Sequence, residues 1–174
     1  MDERKFITSA SDLRRALKNC TRCNNITMKG QFICSHEDLL NLDITKCGKK
    51  KIAIIVNSES DPSLLGHWIV CLISHRFLLF LDGQQQVFTK RDDVMLNITN
   101  FCIKNSLKFI NLKLKIQKNN SFKCGFIVLF LIAKFTILSF PSFLALKNVL
   151  ANNSISANER FILTFVRRHF HINI

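Results

Sequence analysis

Three apolar runs in close succession dominate the middle of the chain: Lys51–Val56, Trp68–Ile73 and Phe77–Leu81. They are short, rich in branched and aromatic side chains and separated by turn-forming stretches, so they predict neighbouring strands of one sheet. Phe109–Gln117 alternates instead. Leu112, Leu114 and Ile116 fall on one side and Lys113 and Lys115 on the other, the pattern of a half-buried strand. Gly125–Phe140 is apolar all round, which suits a helix buried on every side, and Pro141 is expected to stop it. Near the start, Ser9 or Ser11 can cap a short helix whose apolar face is Leu13, Ala16 and Leu17. Arg91–Lys108 reads as a helix with Val94, Ile98 and Phe101 on one side. Residues 19–50 read as irregular, polar and rich in Asn and Cys, and residues 118–123 as a loop. One or two helices close the chain, the last around Glu159–Arg168. The fold class predicted is α+β, a small mixed sheet packed around a central buried helix.

Length changes this picture little. The 174 residues, 48% of them hydrophobic, suffice for one domain with a real core. The 16 Phe against no Tyr and five Gly point to biased coding composition rather than to a special fold. No N-terminal stretch reads as a secretory signal, since Met1–Lys5 is charged and Phe6–Leu17 is amphipathic. The sequons at Asn19, Asn25, Asn97, Asn119 and Asn152 are therefore expected to be silent. Seven Cys in that setting argue for reduced thiols in a cytosolic, nuclear or other reducing setting, not for secretion.

The candidate chemistry lies where these elements begin and end. His67 stands at the head of the second apolar run, after Gly66 and before Trp68. Asp82 closes the third run ahead of Gly83. Gln117 ends the alternating segment, and seven residues later Cys124-Gly125 opens the buried helix. A Cys at a helix N-terminus has its thiolate stabilised by the dipole and by unpaired backbone N–H groups. A His can take the thiol proton, and a carboxylate can hold the imidazole in the right tautomer. A Gln amide can supply one oxyanion donor, with the Cys124 backbone N–H as the other. Gly125, lacking a Cβ, would let a substrate backbone approach the sulfur. His75 lies in a polar turn, His169 and His171 sit beside Arg167 and Arg168, and Asp92 and Asp93 fit helix N-terminal charges.

This order, with Gly66-His67-Trp68, a strand ending in Asp82, and Gln117-Lys-Asn-Asn-Ser-Phe-Lys-Cys124-Gly125, resembles the adenovirus-type cysteine proteases (adenain) and their relatives in large DNA viruses and Polinton-like elements. The SUMO-specific proteases share the order but typically place the Gln one residue closer to the Cys. The resemblance runs from about residue 9 to 140 and leaves 141–174 as a helical extension of one domain, 1–174. It implies an adenain/SUMO-protease-like fold and an endopeptidase with Cys124, His67, Asp82 and Gln117 as its site. It also implies Trp68 and Gly125 at the substrate side, with Trp68 shielding the imidazole; for Trp68 core packing is the plainer reading. The implied substrates are viral or element-encoded structural precursors cut at small-residue sites often containing Gly, and an activating peptide is a conceivable partner. An isopeptidase for ubiquitin-like proteins and an inactive, basic nucleic-acid-binding relative are the alternatives.

Net charge is +13, and no acidic residue occurs between Asp93 and Glu159. That interval holds eight lysines, of which Lys104, Lys108, Lys113, Lys115, Lys118 and Lys123 lead into Cys124. They are either a solvated face or a phosphate-tracking surface. The resemblance favours the second, because adenovirus-type proteases use viral DNA as a cofactor; no other cofactor is expected. Cys20, Cys23, Cys34, His36 and Cys47 contain enough soft ligands for zinc but lack a second close pair, so no metal is expected. Gly125–Leu146 is long enough for a membrane span only with Lys134 near its middle, at a cost of about 2.5–3.5 kcal/mol, so no membrane is expected either.

Overall fold

In the computed structural model, which describes residues 9–20, 32–47, 51–60, 66–84, 92–118 and 123–170, five strands lie in sequence order across one mixed sheet. They are β1 (Ile33–Ser35), β2 (Ile52–Asn57), β3 (Trp68–Ser74), β4 (Phe77–Leu81) and β5 (Lys108–Asn111). The middle pairs β2–β3 and β3–β4 are antiparallel, and the outer pairs β1–β2 and β4–β5 are parallel. Strands β2 and β3 are buried at every position, which is why they read as unbroken apolar runs rather than as alternation.

Both faces of the sheet are covered. Ala53, Ile55, Trp68, Val70, Leu72, Leu79 and Leu81 face the core beneath helices α1 (Ala10–Asn19), α3 (Cys124–Ile137) and α5 (Ile155–Phe170). Ile54, Val56, Ile69, Cys71 and Phe80 face the opposite core, against Val94, Ile98 and Phe101 of helix α2 (Asp92–Lys104) and against Leu39. Helix α3 lies between the sheet and α1 with α5, so Phe126–Ala133 is buried around the whole circumference. Each large apolar side chain buried there contributes roughly 1.5–3 kcal/mol. At the end of α3, the Lys51 ammonium donates to the carbonyls of Phe135 (2.6 Å) and Leu138 (2.5 Å). It thereby caps the negative end of the dipole.

Several elements differ from the sequence reading. Helix α1 is capped by Ser9, whose Oγ accepts the Asp12 N–H at 3.2 Å, and buries the expected Leu13, Ala16 and Leu17. Helix α2 ends at Lys104, short of Lys108, because Ser106 adopts φ 53 and the chain turns into β5. The alternating segment keeps its period, with Leu112, Leu114 and Ile116 buried. Regular pairing nevertheless stops at Asn111, and Lys113 sits at φ 43. Pro141 does not stop α3. That helix ends at Ile137, and Pro141 lies in the first turn of α4 (Phe140–Asn152), where a missing N–H costs nothing. The described residues of 19–50, expected to be irregular, contribute β1 and two short 3-10 turns, Asp38–Asn41 and Thr45–Cys47.

Candidate active site

Sheet register brings the first two side chains together. Val70 pairs with Leu81 and Asn57 with Trp68, so the residues just ahead of β3 lie beside those just past β4 and just past β2. His67 is held there by Ser58. Its N–H donates to Ser58 Oγ at 3.0 Å, and its carbonyl accepts the Ser58 N–H at 2.9 Å. Gly66 makes the approach possible, because a Cβ there would fall 1.8 Å from Asn57 Oδ1. The imidazole Nε2 then meets Asp82 Oδ1 at 2.5 Å, with side chains only 8% and 3% exposed. The same carboxylate oxygen accepts the Gln84 N–H at 2.9 Å. A carboxylate has no proton to give, so this bond assigns a proton to Nε2 and leaves Nδ1 for a second partner.

That partner is Cys124. The His67 ring hydrogen-bonds to its sulfur as well as to Asp82. Burial pulls the imidazole pKa down. The bonds to Asp82 and Cys124, with the charges on both, outweigh it and raise the value to about 9. The arrangement therefore favours the imidazolium form of His67, held between the Asp82 carboxylate and the Cys124 sulfur. Cys124 is the first residue of α3, whose N-cap residue Lys123 offers no side-chain acceptor to the first turn. The unpaired N–H groups and the positive end of the dipole thus lie in the turn that carries the sulfur. Among the described cysteines Cys124 alone is half-buried; Cys20, Cys34, Cys47, Cys71 and Cys102 are buried. Burial raises the Cys34 thiol to about 12 with help from Asp38, raises Cys102 to about 11 and lifts Cys71 well above its usual value. Thiols so shifted stay protonated and unreactive.

Gln117 reaches the same place through Gly83. The Gly83 carbonyl accepts the N–H groups of both Ile116 and Gln117, each at 2.9 Å. A Cβ on Gly83 would press on Ile127 of α3 at 3.1 Å and lie 3.4 Å from Gln117 Oε1. The Asp-Gly turn thus orients His67 with one residue and fixes Gln117 beside α3 with the next. The Gln117 side chain is fully buried.

Other expected site residues lie elsewhere. Trp68 is 1% exposed and packs in the core under α3. That is the core-packing position. Gly125 is buried in the first turn of α3. Of the six lysines, three have side-chain partners: Lys104 donates to the Leu40 carbonyl at 2.5 Å, Lys123 pairs with Glu159 at 3.2 Å and the Lys108 ammonium lies over the Phe77 ring at 6.0 Å. Lys108, Lys113, Lys115 and Lys118 are exposed. The thiols considered for zinc are divided by the sheet, Cys20 in one core and Cys34 with Cys47 in the other. Cys23 and His171 lie outside the described residues. His75 occupies the β3–β4 turn at φ 55. No helix among the described residues is long and apolar enough to cross a membrane.

Sequence reasoning missed Ser58, Gln84 and Glu159. The first two act on or through backbone N–H groups at strand ends, which leaves no side-chain pattern to read. Glu159 had one signal, as the first acid after Asp93 in a basic chain.

No family model and no curated protein matches the chain. Among solved structures it is similar to the selenomethionine form of the ASFV pS273R protease, with a TM-score of 0.40 and 13% sequence identity. The match covers 71% of this chain and 44% of that one, so the chain spans less than half the length of that protein.

Proposed function

We propose that this chain is a cysteine endopeptidase. The observation that carries the reading is the hydrogen-bonded run Asp82–His67–Cys124, ending on a sulfur at the N-terminus of a buried helix. In the reaction, the Cys124 thiolate attacks the scissile carbonyl and the carbonyl electron pair moves to oxygen. The Gln117 amide and the Cys124 backbone N–H receive that oxyanion. His67 gives its proton to the leaving amine, and the acyl-enzyme forms. Water then attacks with His67 as base, releasing the acid and restoring the thiol–imidazole pair. Asp82 holds the ring with Nδ1 toward sulfur and stabilises the imidazolium.

The test is a peptidyl vinyl sulfone ending in Gly, applied to the native chain and to Cys124→Ser. One adduct is expected on the native protein, at Cys124, and none on the variant, with unchanged melting behaviour. Labelling spread over several cysteines, or peptide cleavage surviving in the variant, would overturn the assignment.

The resemblance in the His-Trp and Gln-x6-Cys-Gly motifs extends the proposal to substrates: structural precursor proteins of a virus or mobile element, cleaved at Gly-containing sites in a virion or host cell. The exposure of Lys108, Lys113, Lys115 and Lys118 supports a polyanion surface beside the site, with DNA as an activator rather than an obligatory cofactor.

A further inference from the structure

The connection between Gln117 and Cys124 is anchored at both described ends by one side chain. Glu159 of α5 accepts the Lys118 backbone N–H on Oε1 at 3.3 Å and the Lys123 ammonium on Oε2 at 3.2 Å. Its side chain is only 9% exposed, in a helix that buries Ile162 and Val166 along the same face. A buried carboxylate is costly unless each oxygen has a partner, and here the partners are the residue after Gln117 and the residue before Cys124. Helix α5 packs directly on α3. Glu159 is therefore referenced to the element that carries the sulfur.

We propose that Glu159 is a positioning residue that sets the spacing between the Gln117 amide and the Cys124 backbone N–H, so that one oxyanion can meet both. The inference rests on the cysteine-protease reading of the site. Two donors serve one oxyanion only when each lies about 2.7–3.1 Å from it. Formation of the thiolate, by contrast, depends on His67, Asp82 and the dipole of α3; Glu159 bonds to neither His67 nor Asp82 and meets α3 through Lys123 at its N-cap. Loss of Glu159 is thus expected to impair steps that develop an oxyanion and to spare those that need only a thiolate.

The experiment compares the full chain with Glu159→Ala and Glu159→Gln. Three quantities are measured: the rate of Cys124 alkylation by iodoacetamide, which forms no oxyanion; kcat and KM for a peptidyl-Gly-Gly aminomethylcoumarin; and inhibition by the matching peptide aldehyde. In the aldehyde adduct an S–C bond forms and the carbonyl electron pair moves to oxygen. For Glu159→Ala, kcat should fall and the aldehyde should weaken by on the order of 10–100-fold, as expected for donors misplaced by a fraction of an ångström. Alkylation should not fall by more than about 2-fold, since the Lys123 charge released beside Cys124 favours the thiolate. Glu159→Gln keeps an acceptor for the Lys118 N–H and should fall between the two. If turnover, aldehyde binding and alkylation fall by one common factor, or none falls, the inference is overturned. Should Glu159→Ala not fold, Glu159→Gln carries the same test, and a variant equal to the native chain refutes it. A native chain that neither turns over the substrate nor binds the aldehyde refutes the protease reading instead, before any variant is compared.

Discussion

Asp82→Asn separates the charge of the Asp82–His67 pair from its geometry. In a Ser-His-Asp site this change is expected to cost about 10⁴-fold, because the amide NH₂ turns to the imidazole and selects the wrong tautomer. Here one oxygen, Oδ1, accepts from both His67 Nε2 and the Gln84 N–H. The substituted amide would keep its oxygen in that position, since placing NH₂ there would oppose two donors. The tautomer survives and the negative charge does not. The imidazole pKa of about 9 should then fall toward the ordinary value of about 6.5, because burial remains and only Cys124 still opposes it. At pH 8 a pKa near 9 leaves about 90% imidazolium and one near 6.5 about 3%, a loss of roughly 30-fold in the cation that stabilises the sulfur anion, whereas at pH 6 the loss is under about 2-fold. The assay is the alkylation rate of Cys124 by chloroacetamide from pH 6 to 9, with the His67 ring followed by NMR in parallel. A rate ratio between native and Asp82→Asn that stays constant with pH, or a ring that titrates alike in both, would refute the reasoning.

Stability should follow the same group. The His67 pKa is raised on folding, so its contribution is complete below about pH 6.5 and is lost as pH rises through about 9, amounting at most to about 3 kcal/mol. Thermal melting of the native chain should therefore drop more between pH 7 and 9.5 than that of Asp82→Asn, and equal drops would contradict the assignment. Gly66→Ala places a Cβ 1.8 Å from Asn57 Oδ1. The buried Asn57 side chain, whose Oδ1 accepts the Glu59 N–H, or the backbone must give way, with an expected loss of roughly 1–3 kcal/mol and at least a tenfold fall in Cys124 labelling, read by melting and by probe kinetics; an unaltered labelling rate would show that His67 does not depend on this close approach. Replacing Lys113 and Lys115 should lower the salt slope of duplex-DNA binding by roughly one unit per lost contact. Replacing Lys104, tied to the Leu40 carbonyl, should leave the slope unchanged, and a slope indifferent to Lys113 and Lys115 would mark them as an ordinary solvated face.

The strands β2, β3 and β4 were legible because each is an unbroken apolar run between turns, and a strand buried on both faces needs no partner to declare itself. Helix α1 was legible except for the choice of cap between Ser9 and Ser11, since the spacing of Leu13, Ala16 and Leu17 is local chemistry and the structure caps it with Ser9. Strand β1 was not. Its three residues are a strand only because β2 offers parallel partners to Ile33, Cys34 and Ser35. The ends of α2 and β5 were misplaced for the same reason, as Ser106 and Lys113 take positive φ values that no residue preference at those positions announces. Pro141 was misread because a proline that ends one helix and a proline that begins the next look alike in sequence.

At the site, the types and order of His67, Asp82, Gln117 and Cys124 are properties of the sequence, because protonation, nucleophilicity and hydrogen-bonding capacity belong to single side chains. So does the place of each at the end of an apolar run, which already implied a common edge. Tertiary structure alone decided which atom faces which: Nε2 toward Asp82, the Gly83 carbonyl on Gln117, Trp68 sealed in the core, and Glu159 returning from the last helix to both ends of the Gln117–Cys124 connection. These contacts join residues distant in sequence through register and helix packing. Their energies depend on burial and distance, which arise only once the sheet and its helices have closed on one another.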